Sequence, residues 1–373
     1  MVEHGYFTIE IDGEEVSDLY ADLDTLEVEQ DDELASMFKL RFLIRLQSDS
    51  TWSLLDDERL VAWKPVTVTA GFESGTEELV SGYITHVKPY FDPDPALCTL
   101  EIWGMDASVL MDQEEKLKDW PNKKDSDIAS EIFSLYHFTP DVEDTVVIHD
   151  EAVSTIIQRE TDMQFLKRLA LRNGYECYVQ GTSGVFRKPL IDQSPQPVLA
   201  VHFGGETNVT RFSLEVNALT PTNIGMFQVE RTTKDIIDVA VESSQQTALG
   251  TTNGSGLLGL GVEPGQVYIG MNAATGNLEM TALCQGLFHQ AEWFVTAEGE
   301  VTSDLYGHVL QPRRTVTIKG IGETHSGVYY VSHVAHSFTA AGYTQFFRVK
   351  RNAVMPTGSE DFSTSSGALG GLV

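Results

Sequence analysis

His333 and His336 come nearest to metal-ligand spacing in this sequence. On a helix, side chains three apart could converge on one ion, but these two lie in an alternating run that predicts a strand. Side chains three apart on a strand point to opposite faces, so we do not expect the two rings to share a metal.

Acidic residues gather in two stretches, and calcium is the ion that such groups would bind. The stretches comprise Asp18, Asp22, Asp24, Asp31 and Asp32, and then Asp92 with Asp94. Neither has the D-x-D-x-D-G spacing with a closing glutamate that a calcium loop requires, so we interpret both as solvated loops. The pair Asp112 and Glu114 has the residue types of a glycosidase dyad, but a dyad is defined by a separation that sequence does not give.

Motifs for nucleotide binding or nucleophilic catalysis do not occur. There is no Gly-x-Gly-x-x-Gly between a strand and a helix, no Walker loop and no G-x-S-x-G elbow. The glycine-rich stretch 254–261 lacks the lysine that would hold a phosphate. We therefore predict a structural protein that is not an enzyme and has no cofactor or metal.

The composition narrows the partners. The chain has 373 residues, enough for two or three domains, and 25 basic against 55 acidic residues give a net charge of −30. Such a surface repels nucleic acid and anionic membranes. Cys98, Cys177 and Cys284 are widely spaced and odd in number, which indicates reduced, packed thiols.

The start of the chain has neither a basic nor an apolar signal region, and no apolar run approaches 18 residues. We expect a protein made in the cytoplasm without a signal peptide, with no direct membrane insertion.

The β pattern of the chain contains an internal repeat. Aligning His86 with His333 pairs Tyr83 with Tyr330, and Val87 with Val334. The same alignment pairs Phe91 with Phe338. Each copy follows an alternating run, 66–71 in the first and 316–320 in the second. Strand alternation predicts that the tyrosine, valine and phenylalanine of each copy share one face, and the repeat predicts two related β domains.

Two helices stand between the copies of the repeat. Residues 125–136 form a capped amphipathic pattern. Thr161 and Gln164 have the spacing of a capping box, and Gly174 can end the second helix. We predict a mainly β fold with an α+β insertion: two related tube-forming, β-barrel-like domains at 1–104 and 198–354 flank an α+β unit at 105–197. The second domain would include one helix near 280–294 and a flexible glycine-rich loop at 243–266, and 355–373 would be a flexible tail.

The segment 159–175, RETDMQFLKRLALRNGY, resembles the "E-[ST]-D-x-x-F-L-x-R-L-A-x-x-x-G" signature of contractile-tail hub proteins. This family includes the phage late control protein D proteins, baseplate hubs and the N-terminal part of the type VI secretion spike protein VgrG. Residues 104–110 are similar to the family's "G-x-D-x-S-x-L" turn, and 126–129 to its "S-D-I-A" helix start. The matched signature positions are Gly104, Asp106, Thr161, Asp162, Phe165, Leu166, Arg168, Leu169 and Gly174.

The resemblance implies a homotrimeric baseplate hub. Two tube-like β domains per chain, taken three times, would form a pseudo-six-fold ring between a hexameric inner tube protein and a trimeric spike. Other baseplate components would surround it, and cargo or DNA would pass through the lumen. Because the chain ends at Val373, soon after the second β domain, the spike is expected to be a separate protein.

Two alternatives remain open. One is a tail-associated hub that degrades cell walls, although no extra domain is evident for that activity. The other is a secreted β-rich binding or adhesion module, against which the missing signal peptide counts.

Overall fold

The computed structural model describes residues 4–152, 155–220, 223–229, 233–258, 261–263, 265–270 and 274–363. Three predicted features extend beyond this part of the chain. Residues 364–373 of the predicted tail, residues 259, 260 and 264 of the glycine-rich loop, and Glu230, the last residue of a strand that the sequence predicts at 226–230, lie outside the described residues.

Seven strands occupy the first part of the chain. They are β1 (Tyr6–Ile11), β2 (Glu14–Glu15), β3 (Leu23–Asp31), β4 (Met37–Leu43), β5 (Pro65–Phe72), β6 (Gly75–Tyr90) and β7 (Thr99–Asp106). Their alternating sequences explain their two faces: Leu26 and Val28 of β3 are buried, whereas Glu27 and Glu29 are exposed. The buried faces of these strands pack into one apolar cluster.

The middle of the chain forms a small α+β unit. Its elements are β8 (Lys118–Trp120), α1 (Asp125–Leu135), β9 (Thr139–Val142), β10 (Ile156–Gln158), α2 (Asp162–Asn173), β11 (Glu176–Gln180) and β12 (Ser183–Arg187). The apolar faces of both helices enter one core. Gly184 allows α1 to lie close to β12, since a Cβ there would come 2.2 Å from the ring of Phe133.

The remaining elements follow in the last part of the chain. They are β13 (Gln196–Ala200), β14 (Val209–Val216), β15 (Asn223–Val229), β16 (Ile236–Val241), β17 (Thr252–Asn253), β18 (Gln266–Tyr268), α3 (Asn277–Ala291), β19 (Val295–Thr302), α4 (Ser303–Tyr306), β20 (Thr315–Lys319), β21 (Gly327–Thr339), β22 (Gly342–Arg351) and β23 (Ala353–Val354). The predicted flexible loop is partly wrong, because β17 lies within it and pairs with β23. Of the helices described, none is both long enough and apolar enough to cross a lipid bilayer.

A single sheet of thirteen described strands runs through both β parts of the chain. Its order is β14-β19-β22-β21-β3-β4-β7-β6-β5-β1-β2, with β20 and then β13 attached beside β21. The predicted mainly β fold with an α+β insertion is confirmed, and the sheet is open and does not close into a barrel. Strands β3 and β21 join the first and last parts of the chain edge to edge.

Candidate functional site

The first signature turn, Gly104 to Asp106, closes the end of β7. A Cβ at Gly104 would lie 2.1 Å from the ring of Phe38 on β4, so glycine is required for the two strands to pack here. The Asp106 carboxylate accepts hydrogen bonds from the backbone N–H groups of Ser36, at 2.5 Å, and Ser108, at 3.0 Å. Burial raises the pKa of Asp106. Gly104 therefore lets β7 pack against β4, and Asp106 holds the backbone at Ser36 and Ser108 in place.

The second signature segment forms α2 and its ends. The Thr161 hydroxyl accepts a hydrogen bond from the Gln164 backbone N–H at 3.3 Å, as predicted for the N-cap. Gly174 ends the helix with a left-handed φ of 66°. Phe165, Leu166 and Leu169 are fully buried in the core of the α+β unit.

Asp162 begins α2 and anchors it. Its side chain is 1% exposed and accepts hydrogen bonds from Tyr136 Oη and Gln158 Nε2, both at 2.7 Å, while Lys116 Nζ contacts the same carboxylate. Burial opposes its charge, but these donors outweigh burial and lower the pKa of Asp162. The Arg168 side chain, by contrast, is 46% exposed, and its Nε donates to Glu160 Oε1 at 2.7 Å.

A buried ionic network, which the sequence did not reveal, fastens α1, α2 and α3 together. Asp125 accepts from His149 Nε2 at 2.8 Å and from Asn173 Nδ2 at 2.7 Å, and Arg172 contacts both Asp125 and Glu279 of α3. In a catalytic triad, one histidine nitrogen binds a carboxylate and the other faces the nucleophile. Here the second nitrogen of His149, Nδ1, lies 3.9 Å from the carboxylate of Glu279, which takes the position of the nucleophile. The network positions helices.

His333 and His336 lie on opposite faces of β21, as predicted, and have different partners. His333 Nδ1 is 3.3 Å from Asp31 Oδ2. The His336 ring is 3.0 Å from Gln30 Oε1 and 2.7 Å from Tyr343 Oη. Burial lowers the pKa of His336 to about 3, which keeps the ring neutral.

Asp31 and Asp32 correct the interpretation of the acidic stretch as a solvated loop. Both lie where β3 meets β21, and Asp32 is buried against Lys350. Burial raises the pKa of Asp31, but hydrogen bonds from His333 and two backbone N–H groups outweigh it and bring the pKa to about 2. These acids therefore strengthen the contact between the two parts of the sheet. Asp18 and Asp22, in the same stretch, form ion pairs with Arg59 and Arg45.

The contact between β3 and β21, called here the junction, is a continuous antiparallel ladder. It runs from the pair His333 and Asp31 to the pair Phe338 and Leu26. The Asp32 N–H extends it with a 2.8 Å bond to the Ser332 carbonyl. Backbone hydrogen bonds and buried side chains therefore join the two parts of the sheet.

The strands on the two sides of the junction have the same arrangement. The first meander is β3-β4-β7-β6-β5 and the second is β14-β19-β22-β21-β20. Tyr83 pairs with Pro65, and its aligned partner Tyr330 pairs with Thr315 at the matching position of the repeat. The two meanders thus agree in strand order and in register with the predicted repeat.

A β-bulge at the same place in both copies corrects one prediction about their faces. The register shifts between Ile84 and His86 in β6 and between Val331 and His333 in β21. The extra residue reverses the alternation, so Tyr83 lies on the face opposite Val87 and Phe91. Tyr330 is likewise opposite Val334 and Phe338.

In the described part of the chain, two strand edges are equivalent to the edges of β3 and β21 that form the junction, but no other strand covers them. One is the outer edge of β14 beyond Val209, which forms an isolated bridge with Val201; β14 pairs with β19 on its other side. The second is the outer edge of the segment 86–91. On one side this segment pairs with β7 as far as Tyr90. On its other side it has no strand like β3, which covers the equivalent edge of β21. Val87, Phe91 and Val216 are 38%, 51% and 37% exposed, whereas Val334 and Phe338 at the junction are 0% and 6% exposed. These free edges are the candidate functional site, because unpaired edges with exposed apolar groups favour strand addition.

A family model matches most of the chain. The model of the Alg8 N-terminal domain family matches residues 2–340. The chain belongs to the Alg8 N-terminal domain family. No curated protein matches the sequence.

Solved structures share the fold of this Alg8 N-terminal domain chain at low identity. The 43 kDa tail protein of prophage MuSo2 from Shewanella oneidensis superposes with a TM-score of 0.66 at 15% identity, covering 94% of this chain and 99% of that one. The tail protein of Neisseria meningitidis MC58 gives 0.64 at 13%, covering 94% and 98%. A component of the E. coli type VI secretion system gives 0.56 at 11%, covering 94% and 79%. The predicted resemblance to contractile-tail proteins is therefore confirmed for the fold.

Proposed function

We propose that this chain is a structural, non-enzymatic baseplate hub of a contractile phage tail or phage-tail-like injection system. Three copies would form a pseudo-six-fold ring that joins the hexameric inner tube to the trimeric spike. Other baseplate components would bind around the ring, and cargo or DNA would pass through its lumen.

The observation that carries the proposal is the presence of two equivalent meanders in one chain. They share strand order and register, and the junction joins them edge to edge. A ring of three such chains would contain six similar meanders and would still have three-fold symmetry overall. An adaptor between a six-fold tube and a three-fold spike needs this combination. The shared fold of the two bacterial tail proteins supports the same conclusion.

Native mass spectrometry of the purified chain, with and without a co-expressed candidate spike protein, tests the proposal. We expect a species near three times 41.2 kDa that gains three further chains when the spike is present. A stable monomer that binds neither spike nor tube protein would contradict the hub function. Zymography on peptidoglycan checks the non-enzymatic part, because a cleared zone that co-purifies with the chain would favour a cell-wall-degrading hub.

A further inference from the structure

The repeat assigns a partner to each free edge. In the first meander, Tyr83 pairs with Met105, Met105 with Met37, and Met37 with Glu29 of β3. This row ends on the strand that forms the junction. Across the junction, Glu29 faces Ala335 of β21.

The corresponding row of the second meander ends on β14. Tyr330 pairs with Lys350, Lys350 with Thr296, and Thr296 with Glu215. Glu215 is therefore the counterpart of Glu29, and Val216, one residue further, is the counterpart of Gln30. On β6, Lys88 is the counterpart of Ala335 because both follow their aligned histidine by two residues.

We propose that β14 of one copy pairs with residues 86–91 of the next copy, which are the end of β6 and the residue that follows it, in the register of the junction. Lys88 then faces Glu215 of the neighbouring copy, and Val87 faces its Val216. The inference rests on the proposed function only in requiring that the chain assembles with itself, and it adds the strands, the register and the contacts.

The buried face of this pairing is apolar. Val87 pairs with Ile102 on β7, so it lies on the core side of the sheet. Phe91 contacts Trp52, which packs against the same core, with ring centroids 5.2 Å apart. On β14, Phe212 and Leu214 already pack partly against the second core. The junction register sets Val87 opposite Val216 and Phe91 opposite Phe212, which removes exposed apolar surface from water on both edges.

The outer face is complementary in charge. Lys88 lies 4.5 Å from the ring of Trp103 and is exposed, and Glu215 is exposed at the facing position. Opposite charges placed directly across two strands stabilise the pair, and a slip of one residue would separate them and turn each valine to the wrong face. The side chains thus specify one register.

Pro89 limits what else can pair with this edge. It is the counterpart of His336, which faces Val28 in the junction, and proline has no backbone N–H for a ladder. Prolines in strands lie on edges, where they discourage indiscriminate pairing. Affinity along 86–91 therefore depends on the side chains that match β14.

The contact joins two different edges, so it is heterologous. Each copy offers one β14 edge and one β6 edge, and successive copies add head to tail until the ring closes. Because each chain holds two equivalent meanders, closure at three copies makes six meanders with junctions alternating within and between chains.

Disulfide cross-linking of the full-length chain tests the register. In V87C/V216C the two thiols face each other across the contact, within the range that a disulfide spans. In the control V87C/L214C they are offset by two residues along the strand, about 7 Å. The native thiols give a low background, since all three cysteines are buried and burial raises the pKa of Cys177 to about 12.

We expect oxidised V87C/V216C to form cross-linked species up to three times 41.2 kDa on a non-reducing gel. V87C/L214C and each single variant should run as monomers, and circular dichroism should show that every variant is folded. Cross-linking of V87C alone would indicate a two-fold contact and overturn the proposal. A native trimer without V87C/V216C cross-links would overturn the pairing but leave the hub function standing, whereas a monomer without cross-links would overturn both.

Discussion

Removing the Asp162 carboxylate should destabilise the α+β unit by about 2 to 3 kcal/mol. Hydrogen bonds to a charged acceptor contribute about 1.5 to 3 kcal/mol each, and breaking a buried ion pair costs about 3 to 5 kcal/mol. These contributions should not simply be added for D162A, because two of the three partners of Asp162 are not left unsatisfied. Lys116 is 28% exposed and can turn to water, and Gln158 keeps a second bond to the Glu160 carbonyl at 3.2 Å. The main loss is the charge-assisted bond from Tyr136.

Urea unfolding followed by circular dichroism measures this loss as a lower midpoint. D162N should cost about half as much, because an amide retains one acceptor of similar shape. The matched control is D119A, which removes an exposed aspartate from β8 of the same unit and should change stability by less than about 0.5 kcal/mol.

The loss should also depend on pH in a defined direction. The native pKa of Asp162 is lowered from its ordinary value of 3.8. Its contribution is therefore complete above about pH 5 and disappears as the pH falls through the lowered native pKa. The stability difference between wild type and D162A should narrow below about pH 4. A difference under about 1 kcal/mol at pH 7, or one that does not narrow in acid, would refute the assignment of Asp162 as the charged anchor of α2.

Three further predictions concern the turn, the cap and the edges. G104A should lower the thermal midpoint, costing about 1 to 3 kcal/mol because the new methyl group overlaps the Phe38 ring and the Tyr83 backbone carbonyl; an unchanged midpoint would show that both the ring and the backbone of β6 adjust freely. T161A should cost about 1 kcal/mol through loss of the N-cap, measured by urea unfolding, and T161S should restore most of it. K88E or E215K alone should weaken self-association about 2- to 5-fold per interface in sedimentation equilibrium, and the double variant should recover it; equal weakening in all three would argue against this pair.

Local features of the fold were predictable from sequence because they depend on neighbouring residues. The helix starts at 125 and 162, and the alternating runs at 66–71 and 316–320 that became β5 and β20, agree closely with the structure. In each case a capping residue or a period of two marks the element. Strands β19 and β22 were missed, although β22 alternates in burial over its whole length.

The candidate edges could not be found from sequence. The signature residues explain how the α+β unit and the end of β7 are held, and they lie apart from β14 and 86–91. The exposed Val87 and Phe91 match the buried Val334 and Phe338 in sequence, yet they differ in burial because only β21 has a strand beside it. That difference depends on contacts between residues about 300 positions apart.

The sequence by itself determined the repeat, the capped helices of the α+β unit and the mainly β class. Periodicity, caps and turns act over a few residues, so they can be identified without knowing the partner of any strand. The tertiary structure decided that the two meanders form one open sheet, that Asp31 and Asp32 strengthen the junction, and that a bulge turns Tyr83 away from Val87. Strand pairing is a choice among distant edges, and only the packed chain shows which edges are used and which are left free.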